Sequence, residues 1–167
     1  MENFETDRLI FALYDETLHD DFIRLFTDEA VMEFVDKGVL SEEATRALWR
    51  RLMDEFYPKG IKTIWAVLAK EDRRFVAYAS MRPRPDNNSE NEIGYILPRG
   101  EWGKGYATEI AKKLVEIGFN ELGWKVLYAT VDIENKASIK VLEKCGMTVV
   151  RTEYDETGKY YLYGIRR

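Results

Sequence analysis

A segment with two closely spaced glycines, residues 102–109, has the residue types and spacing of an anion-binding loop. It follows a strand-like run over residues 92–97 and leads into a helix-like run over residues 106–121. Glycine carries no side chain that would cover neighbouring backbone N–H groups, so a ligand can approach the main chain closely. The amino end of the following helix adds partial positive charge behind those amides. The segment therefore predicts a phosphate site.

The identity of the phosphate ligand does not follow from these glycines alone. A dinucleotide-binding fingerprint would need a third glycine where this chain has Thr108, and a Walker loop would need Ser or Thr where it has Gly105. Both nucleotide-binding interpretations fail on these residues. A tight turn that leads into a helix and binds nothing remains the structural alternative.

Hydrophobic periodicity and turn residues predict the elements that must position this loop. In the helix after Ser41, the spacing places Ala44, Leu48, Leu52 and Phe56 on the buried face. Turn-forming residues predict a loop over 82–88. The predicted strands are 9–13, 64–69, 75–81, 92–97, 125–131, 147–154 and 160–165, and the predicted helices are 19–27, 42–56, 106–121 and 135–145.

Composition limits the class of protein. The chain has 167 residues, 46% of them hydrophobic and 33% charged, which is an ordinary globular balance and favours one domain over residues 1–167. The net charge of −5 disfavours DNA or other nucleic acid as the main partner. Cys145 and His19 are the only residues of their types, so we expect no internal disulfide and no histidine-based metal site. No signal-like segment or apolar run of ~20 residues is present, so we expect a cytoplasmic protein without a membrane partner.

Four segments, in order, resemble the GNAT acetyltransferase superfamily over essentially the full chain. Residues 4–9 resemble the opening signature of one branch, and residues 92–95 resemble its central strand. Residues 102–109 resemble its acetyl-CoA pyrophosphate loop, and residues 135–147 resemble its second cofactor helix. The likeness is greatest to the branch that contains the ribosomal-protein N-terminal alanine acetyltransferases.

This resemblance implies an α/β fold with a mixed, mostly antiparallel sheet and helices on both faces. It also implies acetyl-CoA as acetyl donor and no metal. The backbone of the central strand would pair with the pantetheine arm, the glycine loop would hold the pyrophosphate, and Asn135 and Ser138 would lie near the thiol. Both of these last residues could also simply cap their helix. The implied cofactor-binding residues are Tyr95, Ile96, Leu97, Trp102, Gly103, Lys104, Gly105, Tyr106, Ala107, Thr108, Asn135 and Ser138.

The resemblance further implies direct acetyl transfer to a primary amine in a ternary complex. We expect Glu92 to be the general base, because the amine must lose a proton before it attacks. Glu90, which has the same strand parity, is the rival, and a solvated acid at the strand end is the structural alternative. Leu142 stands where the superfamily often has the tyrosine that protonates the thiolate, so the general acid is unassigned: the thiolate could leave without a strong acid, or be helped by Ser138 or by water. We expect Cys145 to be a buried structural thiol rather than an acyl carrier.

The acceptor amine stays open at this stage. It could be a protein N-terminal alanine or a small molecule such as a polyamine, an amino-sugar drug or an amino acid. Alternatives of another class are a non-catalytic acyl-CoA-binding regulatory module and an enzyme that uses a longer acyl donor. A homodimer formed through an exposed final strand is also open.

Overall fold

The structure is a computed structural model that describes residues 4–35, 38–84, 87, 89–154 and 158–167. Its elements follow the predicted order closely. The strands are β1 Phe4–Glu5, β2 Leu9–Ala12, β3 Ile64–Ala69, β4 Phe75–Pro83, β5 Asn91–Ile96, β6 Val126–Asp132, β7 Thr148–Tyr154 and β8 Lys159–Arg166. The α-helices are α1 His19–Phe26, α2 Glu29–Met32, α3 Glu42–Arg50, α4 Tyr106–Asn120 and α5 Lys136–Lys144.

Two compact units divide the chain. The first unit is Met1–Ala79 with Ile96–Trp102, and the second unit is Ser80–Tyr95 with Gly103–Arg167. In hydrogen-bonded order the first unit contains β1, β2, β3 and the start of β4, and the second contains the end of β4, then β5 up to Tyr95, β6, β8 and β7. The pairs β1–β2, β2–β3, β6–β8 and β7–β8 are antiparallel, whereas β5–β6 is parallel. The predicted α/β class with a mixed, mostly antiparallel sheet is therefore confirmed. The prediction that residues 1–167 are one domain stays a prediction.

Aromatic side chains fill the core of the first unit. Tyr14, Phe22 and Trp49 meet edge to face, with ring centroids 5.3–5.9 Å apart. The predicted buried face is wrong within α3, because Thr45 and Trp49 are buried whereas Ala44 and Leu48 are exposed, but Leu52, in the π-helical segment Arg51–Phe56 that follows, is buried as predicted. The large indole ring of Trp49 buries more apolar area than the side chain of Leu48 would, so it determines which face of the helix packs inward.

The second unit is built on close packing between α4 and the sheet. A Cβ on Gly118 would lie 2.7 Å from Leu127 Cδ1 and 3.0 Å from Met81 Cε, so glycine lets the helix backbone approach these strand residues. Four apolar residues of α4 are buried: Ile110, Ala111, Leu114 and Ile117. This packing fixes the start of α4, and with it the glycine loop, relative to β4 and β6.

Two further expectations need correction. Arg82 and Pro83 were expected in a loop, but they are the last residues of β4. The other residues of that predicted loop lie partly outside the described residues. The final strand β8 lies between β6 and β7, so β7, and not the final strand, is at the sheet edge. An antiparallel partner of β6 satisfies its backbone groups along the whole strand, which explains the internal position of β8.

Candidate functional site

Strands β5 and β6 are parallel neighbours that pair at only one position. Their register consists of the single pair Glu92 and Tyr128. Strand β6 pairs with β8 over its full length, from Val126 to Asp132. Within these described strands, the β5 residues that follow Glu92 therefore have no ladder partner in β6. Their backbone on that side is in a position to pair with an extended ligand, as an added strand would.

The glycine loop follows this strand and leads into α4. Gly103 and Gly105 have φ of +74° and +80°, in the left-handed region that disfavours residues with a Cβ. Gly105 is the N-cap of α4, a helix of 15 residues. Apart from Gly103 itself and its two chain neighbours, no described residue has an atom within 4 Å of the position that a Cβ on Gly103 would occupy, so the main chain is open to approach there. The conformation fits the predicted diphosphate loop and explains why glycine occupies both positions.

Trp102 belongs to the first unit, together with Ile96 and Leu97. The Trp102 indole Nε1 donates a hydrogen bond of 2.8 Å to the Leu97 carbonyl oxygen. Leu97 is buried, whereas half of Trp102 is exposed. The indole thus closes the turn between the strand and the glycine loop and already uses one lone pair of the Leu97 carbonyl. Pairing of that residue with a cofactor stays a prediction.

The amino end of α5 lies beside β5 in the second unit. Asn135 Oδ1 accepts a hydrogen bond of 3.1 Å from the Ser138 amide, so Asn135 caps the helix as expected. The Tyr95 hydroxyl donates to Ser138 Oγ at 3.4 Å. Burial raises the pKa of Tyr95 to about 12, so its phenol stays protonated at neutral pH. The structure therefore brings Tyr95 and Ser138 together, two residues predicted to bind the cofactor.

Glu92 lies on the face of β5 opposite Tyr95, since side chains alternate along a strand. Its residue exposure is only 8%, so the alternative of a solvated strand-end acid is wrong. Arg82 Nε donates a 2.8 Å hydrogen bond to Glu92 Oε1. Among the described residues, neither Glu92 Oε2 nor the terminal nitrogens of Arg82 have a hydrogen-bond partner. The carboxylate is thus held by one oxygen and open at the other.

The rival carboxylate, Glu90, belongs to a network of charges. Arg84 approaches Glu90 at 3.4 Å and Glu153 at 2.8 Å, and Arg151 approaches the same two carboxylates at 3.3 and 2.6 Å. Two guanidinium groups contact Glu90, whereas one contacts Glu92. Which of these two carboxylates acts as the base stays a prediction.

Cys145 and Leu142 lie on the α5 segment and its carboxyl end. Leu142 is buried in the core, and its aliphatic side chain cannot protonate the thiolate. Burial raises the pKa of the Cys145 thiol, and its Sγ lies 4.0 Å from the Thr108 carbonyl oxygen. A protonated, half-buried thiol is a poor nucleophile. This arrangement agrees with a structural role for Cys145.

The pairing of Arg82 with Glu92 was not predicted from the sequence. The signal was available in the hairpin: Arg82 and Glu92 face one another if β4 continues beyond Met81. Pro83 argued against that continuation, but proline is tolerated at the end of a strand.

Among the described residues, no group of three or more His, Cys, Asp or Glu side chains could hold a metal ion. None of the described helices has the length and apolar character needed to span a bilayer.

Comparison with known proteins identifies the family. A family model described as Acetyltransferase (GNAT) domain matches residues 8–148. The uncharacterized protein YkkB of Bacillus subtilis (strain 168) is 33% identical over 151 residues, which cover 88% of this chain and 86% of the relative. The uncharacterized N-acetyltransferase p20 of Bacillus licheniformis is 26% identical, with 85% and 80% of the two chains covered. The chain belongs to the GNAT acetyltransferase family.

Solved structures share the fold over nearly the whole chain. A GNAT-family acetyltransferase from Bacillus anthracis has a TM-score of 0.84 at 23% identity, covering 99% and 98% of the two chains. A ribosomal-protein-S5-alanine acetyltransferase from Vibrio fischeri has a TM-score of 0.79 at 15% identity, with 99% and 97% covered. A spermidine N-acetyltransferase from Vibrio cholerae, solved with CoA and spermine, has a TM-score of 0.79 at 14% identity, with 96% of each chain covered.

The family assignment and the fold define the class of enzyme. The protein is an acetyl-CoA-dependent N-acetyltransferase. The open glycine loop and the unpaired side of β5 fit an elongated donor that carries a diphosphate. These comparisons do not identify the acceptor, since relatives of one fold act on different amines.

Proposed function

We propose that the protein transfers an acetyl group to a primary amine by direct attack in a ternary complex, with Glu92 as general base. The observation that carries this proposal is the position of Glu92. It is the β5 residue at the single pairing with β6, it is buried, and one of its carboxylate oxygens is open. A buried carboxylate at the point where two strands separate can receive a proton in a site from which water is largely excluded.

The donor supplies the acetyl group as a thioester. In the proposed arrangement the loop from Trp102 to Ala107 holds its diphosphate through backbone amides, and Thr108 adds a hydroxyl. The backbone of Tyr95, Ile96 and Leu97 pairs with the pantetheine arm. The Gly103 and Gly105 conformations and the unpaired side of β5 support these contacts. Asn135 and Ser138 contribute near the thiol, in addition to capping α5.

Proton transfers complete the reaction. The amine nitrogen forms the new C–N bond while Glu92 Oε2 accepts its proton, and the C–S bond breaks to release a thiolate. Arg82 keeps the Glu92 carboxylate in place through Oε1. The Ser138 hydroxyl, oriented by Tyr95, is our candidate for returning a proton to the thiolate. The Ile96 backbone N–H is our candidate donor to the oxyanion that forms during attack.

The site says less about the acceptor amine than about the acetyl donor. A protein N-terminal alanine is one candidate, supported by the likeness in fold to a ribosomal-protein alanine acetyltransferase. A small-molecule amine is the other, supported by the equal likeness to a spermidine N-acetyltransferase. Both likenesses lie below 25% identity and concern the fold, so the acceptor must be found by experiment.

The test is release of CoA thiol with a panel of amines, measured for the wild type and for Glu92→Gln. Glu92→Gln should lower kcat/KM by about 100-fold or more while acetyl-CoA binding is retained, because loss of a general base typically costs 10²–10⁴-fold. Glu116→Gln is the matched control: it also removes an ion-paired carboxylate, but one on the exposed side of α4.

Two results would count against the proposal. If kcat/KM of Glu92→Gln stays within a few-fold of the wild type across pH, Glu92 is not the base. If acetyl-CoA binds tightly but no amine releases thiol, the protein is a binding module that has kept the family's cofactor loop.

A further inference from the structure

Among the described residues, the Arg82–Glu92 pair leaves one acceptor oxygen and two donor nitrogens without a hydrogen-bond partner. Arg82 uses only Nε to bind Glu92 Oε1, at 2.8 Å. The Arg82 side chain is 55% exposed, compared with 11% for Glu92. The terminal edge of the guanidinium, formed by Nη1 and Nη2, has no hydrogen-bond partner among the described residues. Such an edge can bind a carboxylate with two parallel hydrogen bonds.

The two neighbouring arginines, Arg84 and Arg151, instead contact carboxylates of the protein. Arg84 is buried between Glu90 and Glu153, and Arg151 contacts the same two carboxylates. Within this group of four side chains the charges balance. The Arg82 guanidinium is therefore distinguished by its exposure and by its direct contact with the proposed base.

We propose that the acceptor is an α-amino acid, whose amine meets Glu92 and whose carboxylate meets Arg82. This inference rests on the proposed function, in which Glu92 is the base. An α-amino acid carries its amine and its carboxylate on one carbon, so the two groups lie close enough to reach adjacent partners. A carboxylate beside a guanidinium is the complementary arrangement, since each ligand group then meets an opposite charge.

Other amine classes match this pair less well. A polyamine would bring additional positive charge towards Arg82, which is unfavourable next to a guanidinium. A protein N-terminus offers a neutral peptide carbonyl where the amino acid offers a carboxylate. That carbonyl would form a weaker hydrogen bond than the charge-assisted pair. The pair therefore favours free α-amino acids over both alternatives.

The experiment compares matched acceptors. Several α-amino acids are assayed as free acids and as their carboxamides, together with spermidine and short peptides, by release of CoA thiol from acetyl-CoA. We expect wild-type kcat/KM to be about tenfold or more higher for the free acids, because an unpaired site group discriminates strongly against an analogue that lacks its partner. The carboxamides have the less basic amine, so a preference for the acids is not an effect of amine protonation.

Substitution of Arg82 then isolates its role. Arg82→Gln should bring the ratio of kcat/KM for acid and carboxamide close to one, and Arg82→Lys should leave a reduced preference. Because both acceptors need the base, any indirect effect on Glu92 cancels in this ratio. Arg24→Gln, which removes an exposed arginine paired with Asp21 on α1, is the control and should leave the ratio unchanged.

The outcomes separate this inference from the function on which it rests. Equal rates for acids and carboxamides, or turnover of peptides or spermidine but of no amino acid, would overturn the inference while acetyl transfer stands. A ratio that stays at its wild-type value in folded Arg82→Gln would overturn it as well. No thiol release with any amine would instead contradict the proposed function.

Discussion

The Tyr95 hydroxyl lies 3.4 Å from Ser138 Oγ and joins the carboxyl-terminal part of β5 to the first turn of α5. The same Ser138 donates its amide to Asn135 Oδ1. Ser138 is thus held from two sides, by a cap on its own helix and by a buried phenol from the sheet. Because burial raises the pKa of Tyr95 to about 12, the phenol remains a hydrogen-bond donor throughout the physiological pH range.

Tyr95→Phe should lower kcat with little effect on stability. Phenylalanine keeps the buried ring and removes only the hydroxyl, so the free energy of unfolding should change by about 1 kcal/mol. If the hydroxyl acts by orienting Ser138, then Tyr95→Phe should add little to the loss caused by Ser138→Ala in a double-mutant cycle of kcat. Additive losses would mean that Tyr95 does not act through Ser138.

Gly105→Ala should weaken acetyl-CoA binding. The φ of +80° at Gly105 costs an alanine about 1–2 kcal/mol, and the strain falls on the N-cap of α4, within the proposed diphosphate loop. We expect the Kd for acetyl-CoA, measured by titration calorimetry, to rise by about tenfold or more.

Gly60→Ala is the matched control for this prediction. Gly60 has a φ of +81° and no atom near its missing Cβ, but it lies in the loop before β3. The two variants should lose similar stability, and only Gly105→Ala should lose affinity. If Gly60→Ala weakens acetyl-CoA binding equally, the effect of Gly105→Ala is one of general stability and not of the loop.

The sequence was sufficient to predict elements whose signals are local. Helix α4 begins at Tyr106 as expected, because the left-handed Gly105 before it and the apolar spacing within it both act over a few residues. The capping role of Asn135 was predictable for the same reason. These features depend on neighbours in the chain and not on the partners that the fold later provides.

Features that depend on tertiary partners were harder to predict. The buried face of α3 is shifted by one residue because Trp49 packs against Tyr14 and Phe22, which are distant in sequence. The pairing of Arg82 with Glu92 requires the register of the β4–β5 hairpin, and Pro83 concealed the end of β4. Side-chain periodicity cannot specify such registers, since several alignments bury similar apolar area.

Cys145→Ala should retain acetyl transfer. The pKa of the Cys145 thiol is raised by burial, so little thiolate is available at neutral pH for an acyl-enzyme. We expect kcat/KM within about threefold of the wild type and a small loss of stability, of about 1 kcal/mol or less, from the smaller side chain. Loss of turnover in a folded Cys145→Ala protein, or a covalent acetyl group on Cys145 by mass spectrometry, would contradict direct attack.

Glu153→Gln should destabilise the protein at neutral pH and lose this effect in acid. Burial alone would raise the pKa of Glu153, but hydrogen bonds and charge from Arg84 and Arg151 outweigh it and lower the pKa below its ordinary value of 4.5. A carboxylate whose pKa is lowered on folding stabilises the native state above its unfolded pKa, and this stabilisation is lost as the pH falls through the folded pKa. Glu153→Gln removes this stabilisation at every pH. It also leaves the buried Arg84 close to one carboxylate of this group, that of Glu90.

Denaturant unfolding across pH measures this difference. At pH 7 we expect Glu153→Gln to reduce the free energy of unfolding by about 1–3 kcal/mol, since one partner of a largely buried ion pair is removed. The gap from the wild type should narrow steadily below pH 4.5, because the wild-type carboxyl then also becomes neutral. Asp72→Asn is the control, since Arg74 likewise lowers the pKa of Asp72 but at an exposed site, where salt screening leaves little stabilisation. A constant gap between Glu153→Gln and the wild type from pH 7 to pH 3 would show that the substitution acts through packing and not through the charge of Glu153.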